Sequence, residues 1–286
     1  MMEKKILDFG LIARPIDTLL TAFDNTIQRE WPEKWDGLLD ARLLVHGSVK
    51  LSSTTYQLIR FLCKDRFIDP WQTRRFVTAA APLTRSILDS LFALVYLFDD
   101  IRAKSDIFVK GGWREMCEET ERMKREYGST PKWVEYLDER AKRMDIMQKA
   151  RGMPPCGPET SKLPYWPTPG QMMRSNQLAD ERRKFLTYLN DWYYRELSSA
   201  AHLSFPGLII RGSPLLIEDD SSETKLNVLR SYYLTQTICV VLALLSEVQI
   251  EAGFGFADRL KYVWRIVTEF FDDAKEIYEM RYAARL

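Results

Sequence analysis

Histidine is scarce in this sequence, whose 286 residues include only His46 and His202. The chain therefore lacks the His-Glu-x-x-His pattern of zinc enzymes, and it also lacks the Gly-x-x-x-x-Gly-Lys phosphate loop and the Gly-x-Ser-x-Gly nucleophile elbow. The adjacent acidic pairs Asp99-Asp100 and Asp272-Asp273 point in different directions on a helix, so neither forms a set of metal ligands. The sequence predicts neither a bound metal nor a cofactor.

Cysteine is also infrequent, and no Cys-x-x-Cys pair occurs. The widely spaced cysteines are Cys63, Cys117, Cys156 and Cys239. Such spacing is typical of free thiols in a reducing compartment rather than of a disulfide framework or a zinc site. Since no long apolar region follows the first charged residues, we expect no signal peptide. These features predict a cytoplasmic protein.

A strong excess of one charge is absent, because the formal net charge is only +1 although 28% of the residues are charged. Proteins that bind nucleic acid without sequence preference usually carry a large basic excess, so this balance argues against such binding but allows a local basic pocket. The longest uncharged run, between Arg230 and Glu247, is short for a membrane span and polar in its first half. We expect it to be a buried core helix, and we expect no association with a membrane.

Strand-type alternation persists only over short stretches, and the sequence contains no repeats. Helical spacing dominates instead, as in Leu83, Ile87, Leu91, Leu94 and Phe98, which recur at three- and four-residue steps. A hydrophobic fraction of 46% is enough for a substantial core. The sequence therefore predicts an all-α fold.

Two domains are expected, an N-terminal helical layer over residues 1–70 and a larger helical domain over residues 71–286. Within the layer, helices are predicted to begin at Pro15, at Trp35 and at a serine cap near residue 52. A break is expected at His46-Gly47, where the histidine would have a turn or cap role. In the second domain, long helices are expected over residues 71–98, 224–251 and 256–282.

Two densely charged helices, Trp113–Tyr127 and Pro131–Ala150, are predicted to form a protruding hairpin over residues 113–150. Gly111-Gly112 is expected to open this region. The following residues, 151–170, contain six prolines, so regular structure is not expected there. A plain connector is the favoured interpretation of this loop, and a lid over the site described next is the alternative.

The stretch from Phe185 to Pro206 places an arginine and a histidine seven residues apart. In a helix, Arg195 and His202 would project from one face, about 10 Å apart along the axis. Asp191 and Ser199 lie four residues on either side of Arg195 and share that face. The predicted stripe therefore combines a cation, a titratable imidazole, a carboxylate and a hydroxyl.

This stretch resembles the Arg-x(4–6)-His motif of the HEPN superfamily of helical nuclease and nucleotide-binding domains. The run Tyr194-Arg195-Glu196-Leu197-Ser198-Ser199-Ala200-Ala201-His202 is similar to the Tyr-Arg-x-Leu-Ser-x-x-x-His signature of an uncharacterised HEPN-like family of bacteria. Arg85 and Asp89 are similar to an upstream Arg-x-x-x-acid helix, and Tyr165-Trp166 lies where that family has a tryptophan before a short helix. The resemblance covers roughly residues 75–250, and it implies a HEPN-like helical bundle.

The resemblance also implies an activity, which is metal-independent cleavage of RNA by a toxin or antiphage effector. Arg195 would bind the scissile phosphate and His202 would transfer protons, because guanidinium forks onto two phosphate oxygens and imidazole titrates near neutrality. Asp191, Ser199, Arg85 and Asp89 would orient these two groups, and Tyr194 or Glu196 could supply a second acid or base. Active HEPN ribonucleases commonly have Asn, Asp or His directly after the arginine, and this sequence departs from that pattern with Glu196.

One motif in each chain supplies only one histidine, whereas cleavage needs both an acid and a base. We therefore expect a homodimer if the protein is a nuclease, with RNA as substrate and an inhibitor as a further partner.

A structural role for the same residues is the alternative interpretation. Arg195 could bridge Asp191 and Asp89 and so hold two helices in register. His202 could cap the last carbonyls of its helix, where the helix dipole favours an imidazolium. The protein would then be a non-catalytic HEPN-like module that binds a nucleotide or a partner protein.

Overall fold

A computed structural model describes residues 9–63, 76–201 and 220–286. All regular secondary structure in these ranges is helical, which confirms the predicted all-α class. The chain divides into two compact units. The main unit comprises Met1–Asp99 and Met172–Leu286, and the hairpin unit comprises Asp100–Gln171. The described helices of the predicted N-terminal layer belong to the main unit.

The α-helices are named here in chain order. They are α1 (Phe9–Arg29), α2 (Leu39–Leu62), α3 (Ala80–Leu97), α4 (Ile101–Tyr127), α5 (Pro131–Arg151), α6 (Pro169–Arg174), α7 (Asp180–Leu189), α8 (Arg195–Ala201), α9 (Asp220–Ala252), α10 (Ala257–Thr268) and α11 (Asp272–Ile277). Two π-helical turns, Asn190–Tyr194 and Tyr278–Tyr282, follow α7 and α11. Short 3-10 turns occupy Glu33–Trp35 and Thr160–Lys162.

α3 and α9 form the centre of the main unit, where they contact each other and α2. Thr84 Oγ1 and Thr237 Oγ1 lie 2.7 Å apart at the buried contact between them. Both α3 and Asn227–Ala252 of α9 are long and apolar enough to cross a membrane, but 67% of each apolar window is buried inside the protein, and core helices of soluble proteins pass the same test. Residues 238–245 are all buried, which confirms the predicted core helix.

α2 is one continuous helix, whereas the sequence suggested two segments separated at His46-Gly47. His46 Nε2 lies 3.2 Å from Asp24 Oδ1 on α1, so the predicted turn or cap role of this histidine is wrong. Lys50 Nζ bonds the other oxygen of Asp24 at 2.6 Å. Burial alone would raise the pKa of Asp24, but the hydrogen bonds from Lys50 and His46 lower it below its ordinary value. These bonds join α1 and α2.

Other helix boundaries also differ from the prediction. α1 begins before Pro15 and contains it, and the predicted helix over 256–282 is divided into α10, α11 and a π-helical turn. The predicted helix over 71–98 is described from residue 76 onward, since residues 71–75 lie outside the described ranges.

The hairpin unit is built from α4 and α5, as predicted, but α4 begins at Ile101 and continues through Gly111 and Gly112. The side chain of Asp100 caps its first turn by accepting a hydrogen bond from the Ala103 amide at 3.1 Å. Trp113, Cys117 and Met144 form a small buried cluster between the two helices.

The proline-rich residues 151–170 pack against α4 of their own unit. Trp113 Nε1 donates to the Pro154 carbonyl at 2.9 Å, and Arg114 Nη1 donates to the Leu163 carbonyl at 2.6 Å. The ring of Trp166 lies edge-on to Phe108, with 5.1 Å between the centroids. This loop is therefore an integral part of the hairpin unit rather than a plain connector.

A disulfide joins Cys117 of α4 to Cys156 of the proline-rich segment, so the prediction of four free thiols is wrong for this pair. The two cysteines are 39 residues apart in sequence, and they meet because the segment folds back onto α4. Cys63 and Cys239 are free and buried, and burial raises the pKa of each thiol to about 12. The disulfide removes the thiol-based argument for a cytoplasmic location.

We expect denatured but unreduced protein to be alkylated at Cys63 and Cys239 only, and at all four cysteines after reduction. Intact-mass measurement would count the added groups, and peptide mapping would locate them. The variant Cys156→Ser should gain one label without reductant, because Cys117 loses its partner. Labelling of all four cysteines in unreduced wild-type protein would contradict the disulfide.

Candidate functional site

The predicted site helix is formed by α7, the π-helical turn Asn190–Tyr194 and α8. The sequence predicted an uninterrupted α-helix here. The buried side of the helix continues through this turn and includes Tyr193, Leu197 and Ala200. A π-helical turn contains an extra residue, so the turn sets the rotation of α8 relative to α7.

Tyr194 and Ser198 occupy the side of this helix that faces α3, where they surround Arg85. Arg85 Nη2 donates to the Tyr194 hydroxyl at 2.9 Å, and Nη1 donates to the Ser198 hydroxyl at 3.0 Å. The guanidinium also lies 4.9 Å from the centroid of the Tyr194 ring, and its Nε is 3.8 Å from Asp89 Oδ2. We call Arg85, Asp89, Tyr194 and Ser198 the polar cluster.

The polar cluster combines three residues that the sequence singled out with one that it missed. Arg85, Asp89 and Tyr194 were predicted site residues, whereas Ser199 was predicted in place of Ser198. The available signal for Ser198 was its spacing, because it lies four residues after Tyr194 and therefore shares its face. Ser199 is half-buried.

Asp89 titrates in a partly buried position within this cluster. Burial raises the pKa of Asp89 above its ordinary value, while the Arg85 charge and a hydrogen bond from the Tyr194 hydroxyl act in the opposite direction. The folded protein therefore holds a proton on Asp89 more tightly than the unfolded chain does. This tighter proton binding stabilises the folded state at pH values below the ordinary carboxyl pKa. The stabilisation is lost as the pH rises through the pKa that Asp89 has in the folded protein.

We expect the substitution Tyr194→Phe to raise the pKa of Asp89 further, because it removes a hydrogen bond to the carboxylate while burial persists. Carboxyl carbon NMR titration would measure this change, with Asp89→Asn used to assign the signal. Tyr188→Phe is the matched control, since the Tyr188 hydroxyl bonds Glu276 instead. An unchanged or lowered pKa of Asp89 in Tyr194→Phe would contradict the hydrogen bond from Tyr194 to Asp89.

Arg195 faces a different direction from the polar cluster. Its side chain is 73% exposed, and its Nη2 lies 3.2 Å from Asp191 Oδ1. Because most of the side chain is exposed, the guanidinium is accessible to a phosphate. An exposed ion pair of this kind contributes little to stability. The bridge from Arg195 to Asp191 that the structural alternative requires is present, whereas the ion-pair partner of Asp89 is Arg85.

Glu196 points toward α9, where it accepts a hydrogen bond from the Tyr232 hydroxyl. Burial and this bond raise the pKa of Tyr232. His202 lies outside the described residues and directly follows Ala201, the last residue of α8. The described site residues thus face three directions, with Arg195 and Asp191 toward solvent, Tyr194 toward α3 and Glu196 toward α9.

A second group of charged residues, which the sequence analysis did not identify, is buried in the main unit. Glu247 of α9 accepts two hydrogen bonds from Arg281, at 2.8 and 3.0 Å, and one from the Tyr282 hydroxyl at 3.1 Å. Arg182 of α7 bonds Glu251 at 2.8 Å and lies 3.9 Å from Glu247. Because the charges are paired inside the protein, we assign this group a structural role.

Within residues 9–63, 76–201 and 220–286, no three His, Cys, Asp or Glu side chains converge as metal ligands. A surface groove of about 470 Å³ lies between α1 and α10, lined by Arg14, Pro15, Thr18, Leu19, Asp258, Arg259, Tyr262 and Val263. None of the predicted site residues lines this groove.

Comparisons of the chain with protein-family models, with curated proteins and with solved structures found no match.

Proposed function

We propose that the protein is a metal-independent endoribonuclease of the HEPN type, acting as a toxin or antiphage effector. The observation that carries this proposal is the composition of one helical segment. It presents the exposed guanidinium of Arg195 and, on the preceding residue, the Tyr194 hydroxyl bonded to a second guanidinium, Arg85. His202 follows this segment directly in the sequence.

In the proposed reaction, a base removes the proton of a ribose 2′-hydroxyl, whose oxygen attacks the adjacent phosphorus. The bond from phosphorus to the 5′-oxygen breaks, and an acid protonates that oxygen, which yields a 2′,3′-cyclic phosphate and a 5′-hydroxyl end. Arg195 would neutralise the phosphate, and His202 would transfer a proton. The second titrating group would come from His202 of another copy or from Tyr194 or Glu196.

The cluster around Arg85 supports a positioning role in this reaction. Arg85 fixes the Tyr194 ring by a hydrogen bond and by contact with the ring face. Because Tyr194 directly precedes Arg195, this contact also limits rotation of the helix that carries the phosphate-binding group. Asp191, through its ion pair, restrains the Arg195 side chain itself.

The test is incubation of purified protein with RNA in the presence of a metal chelator. We expect cleavage to produce 5′-hydroxyl ends, and we expect His202→Ala to slow it by about 10²-fold, the loss typical of an acid–base group. Arg195→Ala should also impair cleavage. Matched controls purified in the same way are His46→Ala, whose imidazole bonds Asp24, and Arg183→Ala, which removes another exposed arginine ion pair of the same helix.

Equal cleavage by all these proteins would identify a contaminating nuclease and contradict the proposal. Absence of cleavage by wild-type protein across RNA substrates would contradict it as well. In cells, expression of an active nuclease should slow growth, and His202→Ala should restore it.

A non-catalytic HEPN-like module that binds a nucleotide or a protein is the second candidate. It is favoured because several site residues already form hydrogen bonds within the protein. Arg85 donates to the hydroxyls of Tyr194 and Ser198, and Glu196 accepts a hydrogen bond from Tyr232. In that case Arg195→Ala would abolish binding of a nucleotide such as ATP, measured by calorimetry, without any RNA cleavage to lose. Removal of a catalytic pair usually leaves stability unchanged or improved, so a fall in melting temperature in His202→Ala would favour this candidate.

A further inference from the structure

α2 carries an apolar surface on each of two opposite faces. One face is buried against the main unit and consists of Ala41, Val45, Ser48, Val49, Ser52, Thr55, Tyr56 and Ile59. The other is exposed and includes Leu39, Leu43, Leu51, Leu58 and Phe61, whose exposed fractions range from 44% to 61%. We call these five residues the α2 stripe. A helix with one buried face normally has a polar opposite face, so the α2 stripe requires an explanation.

We propose that the α2 stripe is the interface of a homodimer in which two copies of α2 pack antiparallel. This inference does not rest on RNA cleavage, because the surface lies on α2 and includes none of the proposed catalytic residues.

The area of the stripe is suitable for such an interface. Five large side chains, each about half exposed, present on the order of 500 Å² per copy, and monomeric proteins rarely expose larger apolar patches. A specific interface needs about 1,000 Å² in total from both copies, so the stripe reaches that threshold before any flanking polar residue is counted. The area is at the low end for stable dimers, which predicts a dissociation constant in the micromolar range.

The spacing of the stripe points to a second copy as the partner. Leu39 and Phe61 are equally far from Lys50 along the helix, and Leu43 and Leu58 are nearly so. A twofold axis near Lys50 would therefore place Leu39 of one copy beside Phe61 of the other, and Leu43 beside Leu58. An isologous interface has this reciprocal pattern.

Gly47 fits the same arrangement. A Cβ atom built on Gly47 would meet no atom within 4 Å, so nothing inside the chain requires a glycine there. A glycine inside a helix costs about 0.5–1 kcal/mol relative to alanine. In the proposed dimer, Gly47 faces Thr54 of the second copy, and its missing side chain allows the two helices to approach closely.

Charge does not oppose the arrangement. The twofold axis would bring the Lys50 side chains of the two copies close together. Each ammonium group lies 2.6 Å from Asp24 Oδ2 of its own copy, so a negative charge accompanies each positive one. Antiparallel helices also place the positive end of one helix dipole near the negative end of the other.

Sedimentation equilibrium at micromolar concentrations tests the dimer. We expect wild-type protein to dimerise and Leu43→Lys to raise the dissociation constant at least tenfold. Val228→Lys is the matched control, since Val228 is 63% exposed on α9 and outside the stripe, and it should leave the dimer unchanged. Leu58→Lys provides a second stripe variant if Leu43→Lys fails to fold, as judged by circular dichroism.

Cysteine cross-linking tests the antiparallel orientation, because both native free thiols are buried. Under mild oxidation, Lys50→Cys should form a disulfide-linked dimer, whereas Leu39→Cys should not, since its two copies would be about 30 Å apart along the helix axes. Cross-linking at both positions would indicate parallel packing and overturn the proposal. A wild-type monomer, or a stripe that instead binds lipid vesicles, would also overturn it. His202→Ala should dimerise like wild type, so failure of the nuclease proposal would leave this result unchanged.

Discussion

Replacing Glu247 by alanine is expected to destabilise the main unit by about 3–5 kcal/mol, which is the usual cost of removing one partner from a buried ion pair. The Glu247 side chain is fully buried, and that of Arg281 is only 2% exposed. The substitution would leave the Arg281 guanidinium in the interior without the carboxylate that accepts two of its hydrogen bonds. Urea denaturation followed by circular dichroism would measure the change in the free energy of unfolding.

Two comparison variants separate the loss of the charge pair from other effects. Tyr282→Phe keeps the charge pair and removes only the hydroxyl, which bonds Glu247 at 3.1 Å and the Ala243 carbonyl at 3.2 Å, and it should cost about 1.5–3 kcal/mol. The double variant Glu247→Leu with Arg281→Met replaces both charges by apolar side chains and should recover most of the stability. If Glu247→Ala costs no more than Tyr282→Phe, the buried pair does not have the role assigned to it.

Replacing Gly111 by alanine is expected to destabilise the hairpin unit by about 1–3 kcal/mol, the range for forcing extra atoms into a packed site. A Cβ atom at this position would lie 2.5 Å from the Trp166 backbone nitrogen and 3.1 Å from the Tyr165 carbonyl carbon. Backbone atoms cannot move aside as the end of a side chain can. The proline-rich segment would have to separate from α4, and limited proteolysis within residues 151–170 should become faster.

Gly112 is the matched control for this substitution. It is the next residue of the same helix, and a Cβ atom there would meet nothing within 4 Å. Gly112→Ala should therefore stabilise the hairpin unit by about 0.5–1 kcal/mol through improved helix propensity. Thermal unfolding of both variants gives the comparison. Shifts of the melting temperature in the same direction would contradict the close approach at Gly111.

The helices themselves were largely predictable from the sequence. α5 was predicted almost to the residue, because Thr130 and Pro131 mark its start. The core character of α9 followed from its long uncharged run. The two glycine positions misled the prediction, since Gly47 and Gly111 lie inside α2 and α4. Helix propensity penalises glycine by only about 1 kcal/mol, and tertiary packing outweighs that penalty.

Contacts between distant residues were not predictable. The disulfide depends on the proline-rich segment folding back onto α4, which the spacing of Cys117 and Cys156 does not encode. The partners of Glu247 lie more than thirty residues away, at Arg281 and Tyr282. No local pattern marks such a pair.

The candidate site was predicted in part. Arg85 and Asp89 were expected to orient Arg195 and His202, whereas the structure places Arg85 in contact with Tyr194 and Ser198. The sharing of one face by Asp191, Arg195, Ser199 and His202 assumed a regular α-helix. A π-helical turn that adds one residue does not disturb hydrophobic periodicity enough to be seen in the sequence, so the rotation of α8 could not be anticipated.

That turn acts as a rotational spacer for the residues that follow it. Each residue of an α-helix advances the side chains by about 100° around the axis. Deletion of a single residue from Asn190–Tyr194 would rotate α8 relative to α7. Ser198 would then lose its hydrogen bond to Arg85, and the Arg195 side chain would point in another direction. The length of this turn thus determines which side chains of α8 face α3 and which face solvent.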